Sequence, residues 1–278
     1  MTNMPLIQGL MTSSLTKILS WQAARVVDME RTLTKIRYSR HRWLALAACG
    51  LLSAQAGGTT TSMSQDELLF PEERHENIGE LVTQFIQKSH YNKVAVDDEL
   101  SSRVLDTYIE SLDRNRMYLL ASDIESFEKN RDILDDVVKS KPLDPVFEMY
   151  EVYRTRVRER LTFALTQLES EPDYQSDAMY EFDRSESPWA TSQAELDGIW
   201  RHRVINDALS LALEDESWEK IQEVLTSRYN GFLKRLGQVN NDDVFERFMS
   251  AFSRTLDAHS AYFSPRRAEE NQIQLSLS

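Results

Sequence analysis

The stretch DPVFEMYEVYRTRVRERLTFALTQL, residues 144–168, decides the fold class. Val146, Met149, Tyr150, Tyr153, Val157, Leu161, Ala164, Leu165 and Leu168 recur at steps of three and four, which on a helix of 3.6 residues per turn makes one apolar face. A half-buried strand would alternate at every second residue, and this run does not. Asp144-Pro145 supplies a start, since proline is tolerated in the first helical turn, and Pro172 supplies a stop.

The same periodicity extends in both directions. Ile78, Leu81, Val82, Phe85 and Ile86 predict a helix from Glu72 to His90, entered through Pro71. Leu100, Val104, Leu105, Tyr108, Ile109 and Leu112 predict a second from Asp97 to Leu112, with an acidic start that suits the helix dipole. Ser122 with Glu125 reads as a capping box for a third, carrying Ile124, Phe127, Val137 and Val138 and ended by Pro142. Downstream, helices are predicted from Gln193 to Leu213, Ser217 to Leu236 and Asn241 to Leu256, with Gly237 as a C-cap and Asn241 or Asp242 as an N-cap.

The fold class is therefore all-α, about seven helices, with Leu81, Phe85, Tyr153, Leu161, Leu225 and Phe245 expected in the core. Residues 173–192 read as an irregular link whose rings, Tyr174, Tyr180, Phe182 and Trp189, should pack on the helices. Ile273, Leu275 and Leu277 alternate with Gln and Ser, so Gln272 to Ser278 reads as a short unpaired strand at the C-terminus. With no ladder to join, residues 268–278 are expected to be poorly ordered. No convincing internal repeat of about 30 to 45 residues emerges, although paired helices leave a solenoid open.

Composition narrows the function classes. Eight Gly, seven Pro, 28% charged and 41% apolar residues describe a helical globular chain and not a disordered or collagen-like one. The net charge is −13, and it is uneven: seven Lys/Arg stand against two Asp/Glu before Gly57, and 25 against 43 from there on. That acidity argues against nucleic-acid binding, which needs a cationic stripe, and disfavours an anionic membrane surface. One cysteine, Cys49, excludes a disulfide framework and a cysteine zinc site.

The N-terminus reads as a targeting segment. Arg37 to Arg42 is basic, Trp43 to Leu52 is apolar, and Ala54-Gln55-Ala56 precedes Gly57, the order of a secretory signal peptide. The apolar run falls short of the roughly 20 residues needed to cross a bilayer. Start at Met29 gives an ordinary leader, so residues 1–28 are expected to be an upstream over-extension, 29–56 the signal peptide, 57–70 a linker, 71–256 the helical domain and 257–278 the lead into a further segment. Leu46-Ala47-Ala48-Cys49-Gly50 resembles a lipobox, and lipidation of Cys49 is the competing reading. Its apolar stretch after Arg42 is short, which favours cleavage after Ala56. Either route leads out of the cytoplasm.

Catalytic signatures are scarce. G-x-S-x-G, Walker A, dinucleotide-binding and H-E-x-x-H patterns do not occur, and His41, His75, His90, His202 and His259 are too scattered to offer a metal two ligands on one helix. Asp135/Asp136 and Asp242/Asp243 read as solvated helix ends, and Arg154, Arg156, Arg158 and Arg160, among Glu151 and Glu159, as an exposed ion-paired face. Asp257, His259 and Ser260 are the residue types of a hydrolytic triad. Packed so closely in sequence, they cannot normally align, and they read as a helix end turning into a loop that Pro265 stiffens. No catalytic, cofactor or metal residue is expected.

Leu256-Asp257-Ala258-His259-Ser260-Ala261-Tyr262-Phe263-Ser264-Pro265 resembles the D-P-H-[ST]-x-Y-[LF]-x-P element before the PDZ domain of C-terminal processing peptidases, with Ala258 where the family usually has Pro. Ser89-His90-Tyr91, Leu119-Leu120-Ala121-Ser122-Asp123, Phe182-Asp183-Arg184-Ser185 with Pro188-Trp189, Arg228-Tyr229 with Arg235-Leu236, and Asp243-Val244-Phe245 are similar to the tail-specific protease branch. The resemblance covers about Leu68 to Ser278. It implies a periplasmic serine endopeptidase that recognises apolar C-terminal tails through a PDZ domain and cuts with a Ser/Lys dyad. The helical N-terminal region of that family forms part of the vessel around the protease and serves in docking.

In that family the dyad lies beyond the stretch present here, so no catalytic residue carries over, and a fragment or frameshift is expected. The expected partners are proteins: the protease body, substrate proteins or a periplasmic adaptor lipoprotein. Nucleic acid and small-molecule cofactors are not expected, and membrane association only through a lipidated Cys49. The alternative is a free-standing periplasmic helical interaction protein, adaptor-like, without the protease half.

Overall fold

Apolar faces at helical spacing must be buried against one another, and the computed structural model shows how. It describes residues 68–89, 95–140, 142–175, 179–257 and 260–277. The targeting segment with Cys49, the linker up to residue 67, and His90 and His259 lie outside them. Among the described residues there are nine α-helices: α1 Glu73–Ser89, α2 Asp98–Asp113, α3 Ala121–Phe127, α4 Leu134–Lys139, α5 Asp144–Gln167, α6 Gln193–Ala212, α7 Trp218–Leu236, α8 Asn241–Leu256 and α9 Pro265–Leu277. The fold is all-α.

Polar caps start the helices where the sequence places them. Asp97 accepts the Leu100 N–H at 3.1 Å, Ser192 the Glu195 N–H at 3.3 Å and Ser217 the Lys220 N–H at 3.4 Å. Asn240, one residue earlier than expected, caps α8 by accepting the Asp243 N–H, and Asp243 in turn accepts the Asn240 N–H. These bonds satisfy first-turn donors that the helices cannot pair internally.

Two cores result. α1, α2, α4, the first half of α5 and α8 enclose one, centred on Leu100, Leu105, Tyr108, Phe248 and Phe252. The second half of α5 with α6 and α7 encloses the other, through Leu161, Trp200, Leu225 and Tyr229. α5 thus serves both. The pair with the most extensive contact is α2 with α8, which run antiparallel: Arg103, early in α2, reaches the Thr255 carbonyl, and Arg247 reaches the Ser111 carbonyl.

Four expectations need correction. The predicted third helix is broken into α3, a 3-10 turn at Glu128–Asn130 and α4. Ser101, buried on α2, donates to the Arg131 carbonyl at 2.6 Å and accepts the Leu134 N–H at 2.8 Å, capturing backbone groups that a continuous helix would have used itself. The break, with α9, turns seven helices into nine. The start of α3 is also not capped by Ser122: the Asp123 carboxylate accepts the Leu120 N–H at 3.0 Å.

The C-terminal strand is absent, because 265–277 is helical. Ser264 starts α9, its carbonyl accepting the Ala268 N–H at 2.9 Å. A lone strand would leave every backbone group unpaired, whereas a helix satisfies them within the segment. Leu81 and Phe85 are exposed, at 65% and 62%, while His75, Thr83 and Ile86 form the buried stripe of α1. That stripe is set by contact with α4, where a Cβ on Gly79 would come within 3.3 Å of the Val138 carbonyl oxygen. Leu161, Leu225 and Phe245 are buried and Tyr153 partly so.

The link between α5 and α6 is irregular, as expected. Trp189 packs on the first core and Tyr174 on the second, but Phe182 is exposed, in edge contact with Tyr180 at 4.8 Å. Ala190 joins Leu120 in a parallel bridge.

Candidate docking surface

The residues just past the end of α8, Asp257 and Ser260, are of the types that hydrolytic chemistry uses. The Ser260 hydroxyl donates directly to Asp257 at 3.4 Å, and the Ser260 N–H donates to the Asp257 carbonyl at 2.9 Å. A triad needs an imidazole between serine and carboxylate to take the hydroxyl proton. Here the hydroxyl and the carboxylate meet directly, in a turn that closes the helix. His259 is outside the described residues.

The carboxylate pairs have structural partners. Asp242 accepts from Arg74 at 3.0 Å and from His75 Nε2 at 2.8 Å. The Glu72 N–H donates to His75 Nδ1, which fixes the neutral tautomer with its proton on Nε2. His75 is buried and stacks on Phe245 at 4.7 Å, so it serves as a tie between α1 and α8. Asp135 is not solvated, contrary to expectation: it is buried and pairs with Lys139 at 2.6 Å.

The arginines of α5 are ion-paired as expected, but the expected exposed face is mostly interior. Arg154 and Arg160 are buried, pairing with Glu151 and Asp197, and Arg156 pairs with Asp123 and Glu159. The reason is that α5 lies between two cores and has little surface left. Among the described residues no group of three or more His, Cys, Asp or Glu side chains is gathered to hold a metal, and no helix is long and apolar enough to cross a membrane.

What remains is surface shape. A cleft of about 780 Å³ opens beside the α2/α8 pair, lined among others by Ser111, Arg247, Ser250, Arg254, Ser264 and Arg267. At its edge Glu246 accepts the Ser264 N–H at 3.2 Å and pairs with Arg267 at 2.6 Å. Burial pushes the Glu246 carboxyl up, but Ser264 and Arg267 outweigh it and hold it below the usual range. Tyr262 packs edge-on against Phe245 at 5.5 Å, and its carbonyl accepts the Ser250 hydroxyl. Residues 262–267 are therefore clasped to α8.

The sequence profile described as the tail specific protease N-terminal domain matches residues 82–266. The chain belongs to the tail-specific protease family. Its match runs from the middle of α1 into the first turn of α9, so the family's N-terminal domain contains α2 to α8 and both cores. The tail-specific protease of Haemophilus influenzae is 33% identical over 239 residues, covering 86% of this chain and 34% of that protein. The chain thus spans about a third of the length of that relative.

Neither the cleft nor its arginines can be read from local sequence. Ser111 and Arg247, which join across it, are 136 residues apart, and nothing in either local pattern announces the other.

Proposed function

We propose that this chain acts as the helical docking module of a periplasmic serine endopeptidase that degrades proteins from apolar C-terminal tails, and that it binds proteins without cutting them. The observation that carries this is the match of the family's N-terminal domain to the helical body over residues 82–266. Two features agree with it. The Ser260 hydroxyl donates to a carboxylate, which is a weak base for a serine hydroxyl at neutral pH. The clasp at Glu246 roots the segment leaving α8 firmly on the helical body, which suits a module that holds a neighbouring protein body in place.

Export rests on the order of Arg37–Arg42, Trp43–Leu52 and Ala54-Gln55-Ala56. Expression in a Gram-negative host, followed by fractionation and N-terminal sequencing, tests it. The expected product is soluble periplasmic protein beginning at Gly57. A cytoplasmic product beginning at Met1, or a membrane-bound one beginning at a lipidated Cys49, would overturn this part of the proposal.

A further inference from the structure

Three arginines are spaced along the outer seam of α2 and α8. Arg103 gives one N–H to the Thr255 carbonyl at 3.5 Å, and Arg247 gives one to the Ser111 carbonyl at 2.7 Å. Arg254, on the same face of α8 as Arg247, is exposed. Among the described residues none of the three has a carboxylate within ion-pair distance. A guanidinium carries five N–H donors in a planar fork shaped for a carboxylate, so most of this donor capacity is unspent. The cleft itself is lined by Arg247, Arg254 and Arg267, and Arg267 is neutralised by Glu246 at 2.6 Å, which shows the chemistry the cleft already performs on one carboxylate.

We propose that the α2/α8 seam and its cleft dock a glutamate- or aspartate-rich segment of a partner protein, with Arg247 and Arg254 reading its carboxylates. The spacing favours an extended segment. Seven residues of helix separate the two arginines by about 10 Å along α8, and three residues of a polyproline II segment span about 9 Å and return the side chain to the same face. Acidic side chains three positions apart therefore match the arginine pair. The cleft, at about 780 Å³, has room for several residues, and Val239 and Ala251 offer it some apolar wall.

Charge selects carboxylate over nucleic acid. The chain is acidic overall, and Asp243 and Glu246 stand in the cleft wall itself, so a polyphosphate meets repulsion along its length. A short acidic peptide meets the same wall, but Glu246 is already neutralised by Arg267, so Arg247 and Arg254 stand against one remaining carboxylate, Asp243, and the more distant acidic surface is screened beyond about 8 Å at physiological salt.

The inference deepens the docking reading and rests on it. Cleavage by this chain would sink that reading, whereas failure of the acidic probe would sink only this one. The probe is a fluorescein-labelled peptide, acetyl-GSESSESG-amide, titrated into the full chain in about 0.1 M salt and followed by anisotropy, beside the same peptide with glutamine for glutamate. The glutamate peptide is expected to bind about tenfold tighter than the glutamine one, and Arg247→Gln or Arg254→Gln to weaken it about fivefold to tenfold. Arg254 bonds to nothing among the described residues, so Arg254→Gln should keep the parent's circular dichroism. Arg201→Gln, an exposed arginine on α6, should bind as the parent does. Equal binding of the two peptides would overturn the proposal. So would an equal loss in Arg201→Gln, tighter binding of oligodeoxythymidine than of the glutamate peptide, or binding seen only when the C-terminal amide is replaced by a free carboxylate.

Discussion

Arg156 grips Asp123 with two nitrogens, Nε on Oδ2 at 2.8 Å and Nη2 on Oδ1 at 3.0 Å. The same Oδ2 accepts the Leu120 N–H that starts α3, so the beginning of one helix is held by the middle of another. The Asp123 carboxylate and the Glu159 carboxylate push the Arg156 guanidinium well above its ordinary range. Replacing Arg156 with Ala strands a nearly buried carboxylate and is expected to cost about 2 to 3 kcal/mol in urea unfolding. Arg156→Lys keeps the charge but loses the second contact, and should cost roughly 1 kcal/mol. Equal stability of all three proteins would refute this grip.

The distinction between buried and exposed apolar positions gives a sharper test of the packing. Leu225→Ala and Phe248→Ala remove fully buried side chains and should each cost about 2 to 5 kcal/mol. Leu81→Ala and Phe85→Ala remove exposed ones and should stay within about 0.5 kcal/mol of the parent. Large losses at Leu81 and Phe85 would mean that α1 presents a different face to the body.

How far the fold can be read from sequence depends on range. The extent of α5 follows from its own spacing and its flanking prolines, and the starts of α2, α6 and α7 from Asp97, Ser192 and Ser217, because caps act within a turn of the residue that makes them. The break between α3 and α4 does not follow. It is made by Ser101, 30 residues away from the Arg131 carbonyl it binds. The rotation of α1 likewise depends on Val138, which meets Gly79 only in the folded chain. The cleft is less legible still, since its residues come from the end of α2, the length of α8 and the root of α9. The alternation of Ile273, Leu275 and Leu277 points to a strand where the chain is helical, because periodicity over so short a run does not separate the two.

Asp113 offers a test of a loop in place of a helix. Its carboxylate accepts the N–H groups of Met117, Tyr118 and Leu119 at 2.8 to 2.9 Å, fixing the turn that leads to α3. Asp113→Ala leaves these donors without their acceptor and is expected to cost about 3 kcal/mol, with Asp113→Asn, which keeps one oxygen, losing about half as much. Thermal unfolding of the two variants beside the parent measures it. An alanine variant as stable as the parent would show that water replaces the carboxylate without penalty.

The Glu246 clasp should depend on pH in a defined direction. Its carboxyl is held below the ordinary glutamate value of about 4.3, so the ionised form is favoured in the folded chain. The stabilisation is then fully present above that ordinary value and is lost as pH falls through the lower, folded one. Hydrogen exchange at the Ser264 amide, corrected for the intrinsic rate, should show constant protection from neutral pH down through the ordinary glutamate range and a fall only at more acid pH. In Glu246→Gln this pH dependence should vanish. Protection that rises on acidification would contradict the sign.

The most direct test of the account is whether the chain cuts. The purified chain, incubated with an unfolded protein ending in apolar residues and sampled by mass spectrometry over several hours, is expected to leave it intact, and Ser260→Ala is expected to behave identically, because the Ser260 hydroxyl bonds directly to the Asp257 carboxylate, a weak base. Cleavage by the parent that disappears in Ser260→Ala would contradict the reading of this chain as a module that binds without cutting.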